Sequence, residues 1–120
     1  MTAARHRVAR LGEDAAAQYL SAAGWRIVHR NYRCSQGEID IVAEDGPDLV
    51  FVEVRTRSSA AFGAPEESLT AAKAQKMAAC ALAYLQAHPE SRRAWRLDFV
   101  AVEVAGGRVS RLEHFKHALQ

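Results

Sequence analysis

At 120 residues the chain is one domain's worth (1–120), long enough to bury a single hydrophobic core and too short for two. Hydrophobic residues make up 49%, charged residues 25%, and the net charge is only +2. This is the ordinary globular balance and sets up no global field of a nucleic-acid binder, so any basic surface must come from local clustering. No apolar run reaches the length of a membrane span. Cys34 and Cys80 lack Cys-x-x-Cys spacing, which argues against a zinc site, and the expected setting is the reducing cytoplasm.

The chain begins with a basic arm, Arg5, His6, Arg7 and Arg10, that runs into a helical pattern. Val8, Leu11, Gly12, Ala15, Tyr19 and Ala23 fall on one arc of a period of about 3.6 residues, and Gly24 is the stop. Glu13 lies at the edge of that arc, beside Ala16 and Leu20, where a carboxylate is more often simply exposed than a ligand. Trp25 to Tyr32 alternates as a strand, with Trp25, Ile27 and His29 on one face and Arg26, Val28, Arg30 and Tyr32 on the other. Arg30, Tyr32 and Arg33 mix cations with an aromatic, which suits phosphates and a stacked base. An exposed strand end accounts for them equally well.

Gln36-Gly37 turns the chain into two further strands, from Gly37 to Val42 and from Val50 to Arg55, joined through Asp45-Gly46-Pro47-Asp48. If the turn takes all four residues, Glu44 faces Leu49, Asp40 faces Glu53 and Glu38 faces Arg55. Opposed side chains have Cβ atoms about 5 Å apart, so the two carboxylates repel unless a proton or a cation lies between them. A hard divalent cation, Mg²⁺ or Mn²⁺, would remove the repulsion, being held by one or two carboxylates and completed by water and phosphate oxygens. The alternative is a solvated face whose charges fan apart. Val42 and Phe51, on the same face as Asp40 and Glu53, favour the rim of a core.

Thr56 to Pro65 reads as a surface loop whose hydroxyls and Arg57 could meet a ligand. Thr70 is the N-cap of a helix from Ala71 to about Ala87, closed by His88-Pro89. Its apolar face is Ala74, Met77, Ala81, Tyr84 and Leu85. Lys73 sits beside that face and can reach over the sheet, Lys76 points farther out, and Cys80 packs against neighbours. Trp95 to Val104 is apolar enough for a central strand, and Gly106-Gly107 forms a hairpin into a last strand, Arg108 to Phe115. Arg96 and Asp98 read as a structural salt bridge; His114 and His117, near the frayed end, are given no chemical role. The order is helix, three strands, helix, two strands, with the second helix as a crossover. An α/β fold follows, with a mixed central sheet flanked by helices.

Gly12-Glu13, Arg30-Asn31-Tyr32, Gly37-Glu38-Ile39-Asp40, the run Phe51 to Arg57 and Arg96-Leu97-Asp98-Phe99 resemble the signature of the bacterial YraN family, in the family's order and over nearly the whole chain. That family is similar to archaeal Holliday junction resolvases and to the restriction-endonuclease-like, PD-(D/E)XK, superfamily. The resemblance implies an α-β-β-β-α-β core and a metal held by Asp40 and Glu53, with Glu13 as the helical carboxylate. It also implies a Lys where this chain has Arg55. Arg supplies charge and donors but is not deprotonated in proteins, so general-base chemistry by Arg55 is out.

The leading expectation is therefore a nucleic-acid-binding protein, a metal-dependent endonuclease acting on structured DNA. Asp40 and Glu53 would hold the cation, with Glu13 and Glu38 assisting through water. Arg55 and Lys73 would stabilise charge on the scissile phosphate, and Arg5, Arg7, Arg30, Arg33 and Arg57 would position the backbone. Two competitors stand beside it: a non-catalytic module for nucleic acid or a DNA-processing partner, and a structural or dimerisation protein. A homodimer is what the resolvases imply.

Overall fold

The first helix, α1 (Thr2–Ala22), is rich in Ala and other good helix formers. It ends in a left-handed glycine cap: Gly24 has φ 93°, its N–H donates to Ser21, and the Trp25 N–H donates back to Leu20 at 3.1 Å. Leu20 and Trp25, which flank the cap, are both buried in one cluster. The computed structural model describes residues 2–58, 63–91 and 94–118. The other elements are β1 (Arg26–Cys34), β2 (Gly37–Asp45), β3 (Asp48–Arg57), α2 (Ala71–Ala87), β4 (Trp95–Ala105) and β5 (Arg108–Phe115), with short 3-10 turns at Pro65–Ser68 and Pro89–Ser91.

The five strands lie in the order β1-β2-β3-β4-β5; β3 and β4 are parallel and the other pairs antiparallel. The α-β-β-β-α-β order is therefore present, with β5 added beyond it. Helix α2 makes the crossover that the parallel pair requires. Ala16 and Leu20 of α1 cover one face of the sheet over Ile41, Val52, Val100 and Val102. Met77, Cys80, Ala81 and Tyr84 of α2 cover the other over Ile39, Val42, Phe51 and Leu97. The α2 boundaries are as expected, and the Thr70 hydroxyl accepts the Lys73 N–H at 3.2 Å.

Several local expectations are corrected. The face of α1 turned to the sheet is Gly12, Ala16 and Leu20, while Tyr19 is 40% exposed and Ala23 is exposed. Close packing selects that face: a Cβ on Gly12 would lie 1.9 Å from the Thr56 Oγ1, so only glycine lets the helix approach β3 there. In β1 a register shift between Ile27 and His29 reverses the alternation. His29 lies edge-on to Tyr84 on the α2 side, at 5.5 Å between ring centroids, and Arg30 reaches Asp14 of α1 at 2.8 Å. The β2–β3 turn is tighter than four residues, because Asp45 pairs with Asp48, yet Glu44 still faces Leu49. Strand β3 runs on through Thr56 and Arg57, where a loop was expected, because the parallel ladder to β4 continues to Arg57–Glu103. Residues 59–62 of that expected loop lie outside the described residues.

His114 and His117 are not idle. Asp98 is fully buried and accepts from Arg96 Nε at 3.0 Å, His114 Nε2 at 2.8 Å and the His117 backbone N–H at 3.1 Å. Burial alone would raise the Asp98 carboxyl, but those donors hold it below the usual carboxylate range. Arg96 extends the network to Asp45 at 2.9 Å and stacks over the Trp25 ring at 5.2 Å. Removing one partner from such a buried set strands the rest, which costs about 3–5 kcal/mol. Asp98→Ala is expected to lower unfolding stability by that amount in urea titrations. Arg26→Ala, which breaks an exposed pair with Glu44, is expected to leave the midpoint unchanged.

Candidate functional site

The β2–β3 ladder runs from Asp45–Asp48 to Ile41–Val52 and stops one step short of Asp40 and Glu53. From there the strands diverge. In place of a backbone partner, Asp40 Oδ2 accepts the Val54 N–H at 2.8 Å. Strand β2 changes phase at this point, since Val42 and Ile39 both pack on the α2 face although they are three residues apart. The neighbouring β1 breaks phase alongside it, at Asn31, whose φ is 55°. That left-handed conformation is tolerated by Asn better than by most residues. The expected opposition of Asp40 and Glu53 lies one step beyond the paired ladder, and the two carboxyl groups act on each other as close electrostatic neighbours in one cleft. The β2–β3 ladder ends before it reaches the expected Glu38–Arg55 pair, and on its other side Glu38 pairs with Arg33 of β1.

Burial favours the protonated form of both carboxyl groups. Burial raises the Asp40 carboxyl to about 8, with Glu53 as the second cause. Burial also raises Glu53, against the opposing pull of Arg55 and Lys73. Glu13 is raised by burial and by Glu38. With its amide turned so that the nitrogen faces the acids, Asn31 donates to Glu13 Oε1 and Glu38 Oε2, each at 3.1 Å. These four acids line a cleft of about 360 Å³ together with Arg55 and Thr56. Close packing of α1 at Gly12 against Thr56 is what carries Glu13 to it.

Glu38, Glu53 and Arg55 also line an adjoining cleft of about 260 Å³, shared with Lys73 and Lys76. Lys76, on the rim of this cleft, is more exposed than Lys73, in keeping with its expected outward position. Arg55 Nη2 stands 3.4 Å from Glu53 Oε2, and Arg55 Nε is buried without a hydrogen-bond partner among the described residues. Burial, and then Arg55, lower the Lys73 ammonium below its usual range. Arg57 also acts on Lys73, so it lies on the same side. Arg33 is exposed opposite Glu38, Arg30 is engaged by Asp14, and Arg5 and Arg7 are exposed on the early turns of α1. Arg7 lines a different cleft, against the β4–β5 hairpin.

A hard divalent cation at this cleft would have two carboxylates to draw on. Among the described residues no three Asp, Glu, His or Cys side chains converge as a ready ligand group. A cation would therefore rest on the Asp40–Glu53 pair and complete its shell with water and substrate oxygens, as Mg²⁺ commonly does. Asn31 escaped the residue-by-residue reading; its one signal was its place in the Arg30-Asn31-Tyr32 motif. Thr56 was assigned to a loop, and nothing local distinguishes its contact with Gly12.

Fold and cleft define a mixed α/β protein with a paired-acid site where two strands of its sheet part. The chain belongs to the uncharacterised protein family UPF0102, the YraN family, whose model matches residues 12–102. It is 49% identical over 102 residues to a UPF0102 protein of Moorella thermoacetica, covering 85% of each chain. It is 44% identical over 119 residues to one of Pelotomaculum thermopropionicum, covering 98% of this chain and 99% of the relative. A relative from Chloroflexus aurantiacus is 44% identical over 116 residues, covering 95% and 93%. The family match takes in Glu13, Asn31, Glu38, Asp40, Glu53, Arg55 and Lys73 and leaves out Arg5 and Arg7. No helix among the described residues is long and apolar enough to cross a membrane.

The raised carboxyl has a defined consequence for stability. Between the ordinary aspartate value of 3.8 and about 8, the folded chain holds a proton at Asp40 that the unfolded chain has lost. Stability in metal-free buffer should therefore fall as pH rises through that window. Asp40→Asn is expected to flatten the slope and to raise the melting temperature at pH 8, as read by thermal denaturation with chelator present. An unchanged slope would assign the pH dependence to other groups.

Proposed function

We propose that this protein binds the phosphate backbone of nucleic acid, DNA in the first instance, at the acidic cleft and hydrolyses phosphodiesters there with Mg²⁺ or Mn²⁺. The observation that carries the reading is the half-buried Asp40–Glu53 carboxyl pair lining one cleft, each raised by burial, with Arg55 and Lys73 acting on its second member. When bound, the cation would polarise a phosphate oxygen and lower the pKa of a water nucleophile.

The protein's own groups do the rest. Asp40, its carboxyl raised by burial, would lose its proton to solvent to hold the cation together with Glu53. Glu13 and Glu38, tethered by Asn31, orient water at the cleft mouth. Arg55 offers a permanent charge beside the scissile phosphate but cannot take a proton. Lys73, with its lowered ammonium, is the better group to stabilise developing charge and to move a proton. Arg33 and Arg57 are the arginines best sited to steady the backbone, without reading sequence. A second reading, a binding module on the same fold, is favoured by Arg55 standing where a nuclease of this kind has Lys.

Incubation with branched, supercoiled and single-stranded DNA in Mg²⁺ or Mn²⁺ tests both. Cleavage by wild type that drops by ~10²-fold or more in Asp40→Asn and Glu53→Gln supports hydrolysis, that being the scale of a positioned group's contribution. Metal-dependent binding without cleavage, lost in the same variants, supports the module. Neither cleavage nor metal-dependent binding sinks both.

Arg55→Lys separates the roles further. If water activation limits cleavage, this change should raise the rate; if Arg55 clamps a phosphate, binding should weaken and cleavage should not rise. Cleavage that survives Arg55→Ala but not Lys73→Ala assigns the proton-handling role to the helix.

A further inference from the structure

Next to the acidic cleft, and with no part in the reaction proposed for it, two thiols meet on the α2 face of the sheet. Cys34 ends β1, where it pairs with Gly37 at the start of β2. Cys80 projects from the third turn of α2, 1% exposed, and Cys34 packs half-buried against the same cluster. Burial, and then the neighbouring Cys34, raise the Cys80 thiol to about 11. The helix is close to the hairpin here: a Cβ on Gly37 would lie 3.4 Å from Cys80 Sγ. Cys80 also lines the cleft that holds Lys73, Lys76, Glu53 and Arg55.

We propose that Cys34 and Cys80 form an oxidative modification site, which a hydroperoxide closes to an intramolecular disulfide and a dithiol reopens, pinning α2 to the β1–β2 hairpin beside the cleft. Cys34 is the reachable thiol and reacts first. Its sulfur attacks the peroxide oxygen, the O–O bond breaks, an alcohol or water leaves, and Cys34 becomes a sulfenic acid. The Cys80 sulfur then attacks Cys34 Sγ; the S–O bond breaks, and the hydroxyl leaves as water with the proton from Cys80. In sum, two thiols lose two hydrogens while the peroxide gains two electrons and two protons. Closure draws the two sulfurs together to a bond of about 2.05 Å. The yielding side is Cys34, at the end of an edge strand and next to a two-residue turn. Pinning acts on Lys73 and Lys76 because both are carried by the helix that the bond would tether.

The test uses the reduced full-length protein and equimolar hydrogen peroxide. Expected are loss of two hydrogens from the intact mass, a Cys34–Cys80 linked peptide on mapping, loss of both titratable thiols and full recovery with dithiothreitol. Cys34→Ser and Cys80→Ala, each confirmed folded by circular dichroism, should both abolish the linked peptide; its persistence in either would overturn the assignment. Addition of oxygen atoms without a crosslink, or a crosslink between two chains on a non-reducing gel, would also overturn it. Hydrogen exchange in α2 should slow in the oxidised wild type. Unchanged exchange despite the bond would remove the pinning. These readouts need neither metal nor nucleic acid, so they stand or fall apart from the hydrolytic reading.

Discussion

Two carboxyl groups withdrawn from water and set against each other cannot both be ionised unless something positive joins them, and the structure around Asp40 and Glu53 is arranged about that constraint. The sheet gives way to it first. The β2–β3 ladder stops at Ile41–Val52, and Asp40 takes the place of the missing backbone acceptor for the Val54 N–H. An unpaired buried N–H would itself be costly, so the same side chain that creates the charge problem also closes the gap in the hydrogen bonding. Asn31 accommodates the accompanying phase break in β1 by adopting a left-handed conformation. From there its amide ties Glu13 and Glu38 together.

The contrast between Asp40 and Asp98 shows what distinguishes a structural acid from a reactive one. Both are drawn into the protein, and burial alone would raise both. Asp98 meets Arg96, His114 and the His117 N–H, which together outweigh burial and keep it ionised. Asp40 meets one backbone N–H and a second carboxyl group, which reinforces burial and raises it to about 8. The same residue type thus sits in two environments that push it in opposite directions, the pattern by which sites are tuned for chemistry. Asp98 has no unmet demand, whereas the Asp40–Glu53 pair has an oxygen-rich side facing an open cleft.

Helix α2 connects this pair to the cations. A parallel β3–β4 pair needs a long crossover, and the crossover starts at the cleft end of β3. Its first turn, fixed by the Thr70 cap at Lys73, therefore lies over Glu53 and Arg55. Lys73 is four residues from no acid in the sequence, yet the topology places it against one twenty residues away. The approach of Cys80 to the β1–β2 hairpin follows from the same docking of α2.

Much of this was legible in the sequence because it depends on local chemistry. Gly24 as a cap, Thr70 as an N-cap, the Gly106-Gly107 hairpin and the Glu44–Leu49 register each follow from a few neighbouring residues, and the register in turn brings Asp40 to Glu53. The bulge that moves His29 to the other face, the rotation of α1 onto Gly12, Ala16 and Leu20, and the demand of Asp98 for His114 could not be read that way. Each is settled by contact between residues far apart in the chain. A period of alternation says which side chains share a face only while it is unbroken, and it carries no sign of where packing will break it. The sequence by itself determined the elements, their order and the acids that can meet. The tertiary structure alone decided where the strands part, because that depends on a helix glycine fitting against Thr56 and on an Asn able to hold a backbone turn beside four carboxyl groups.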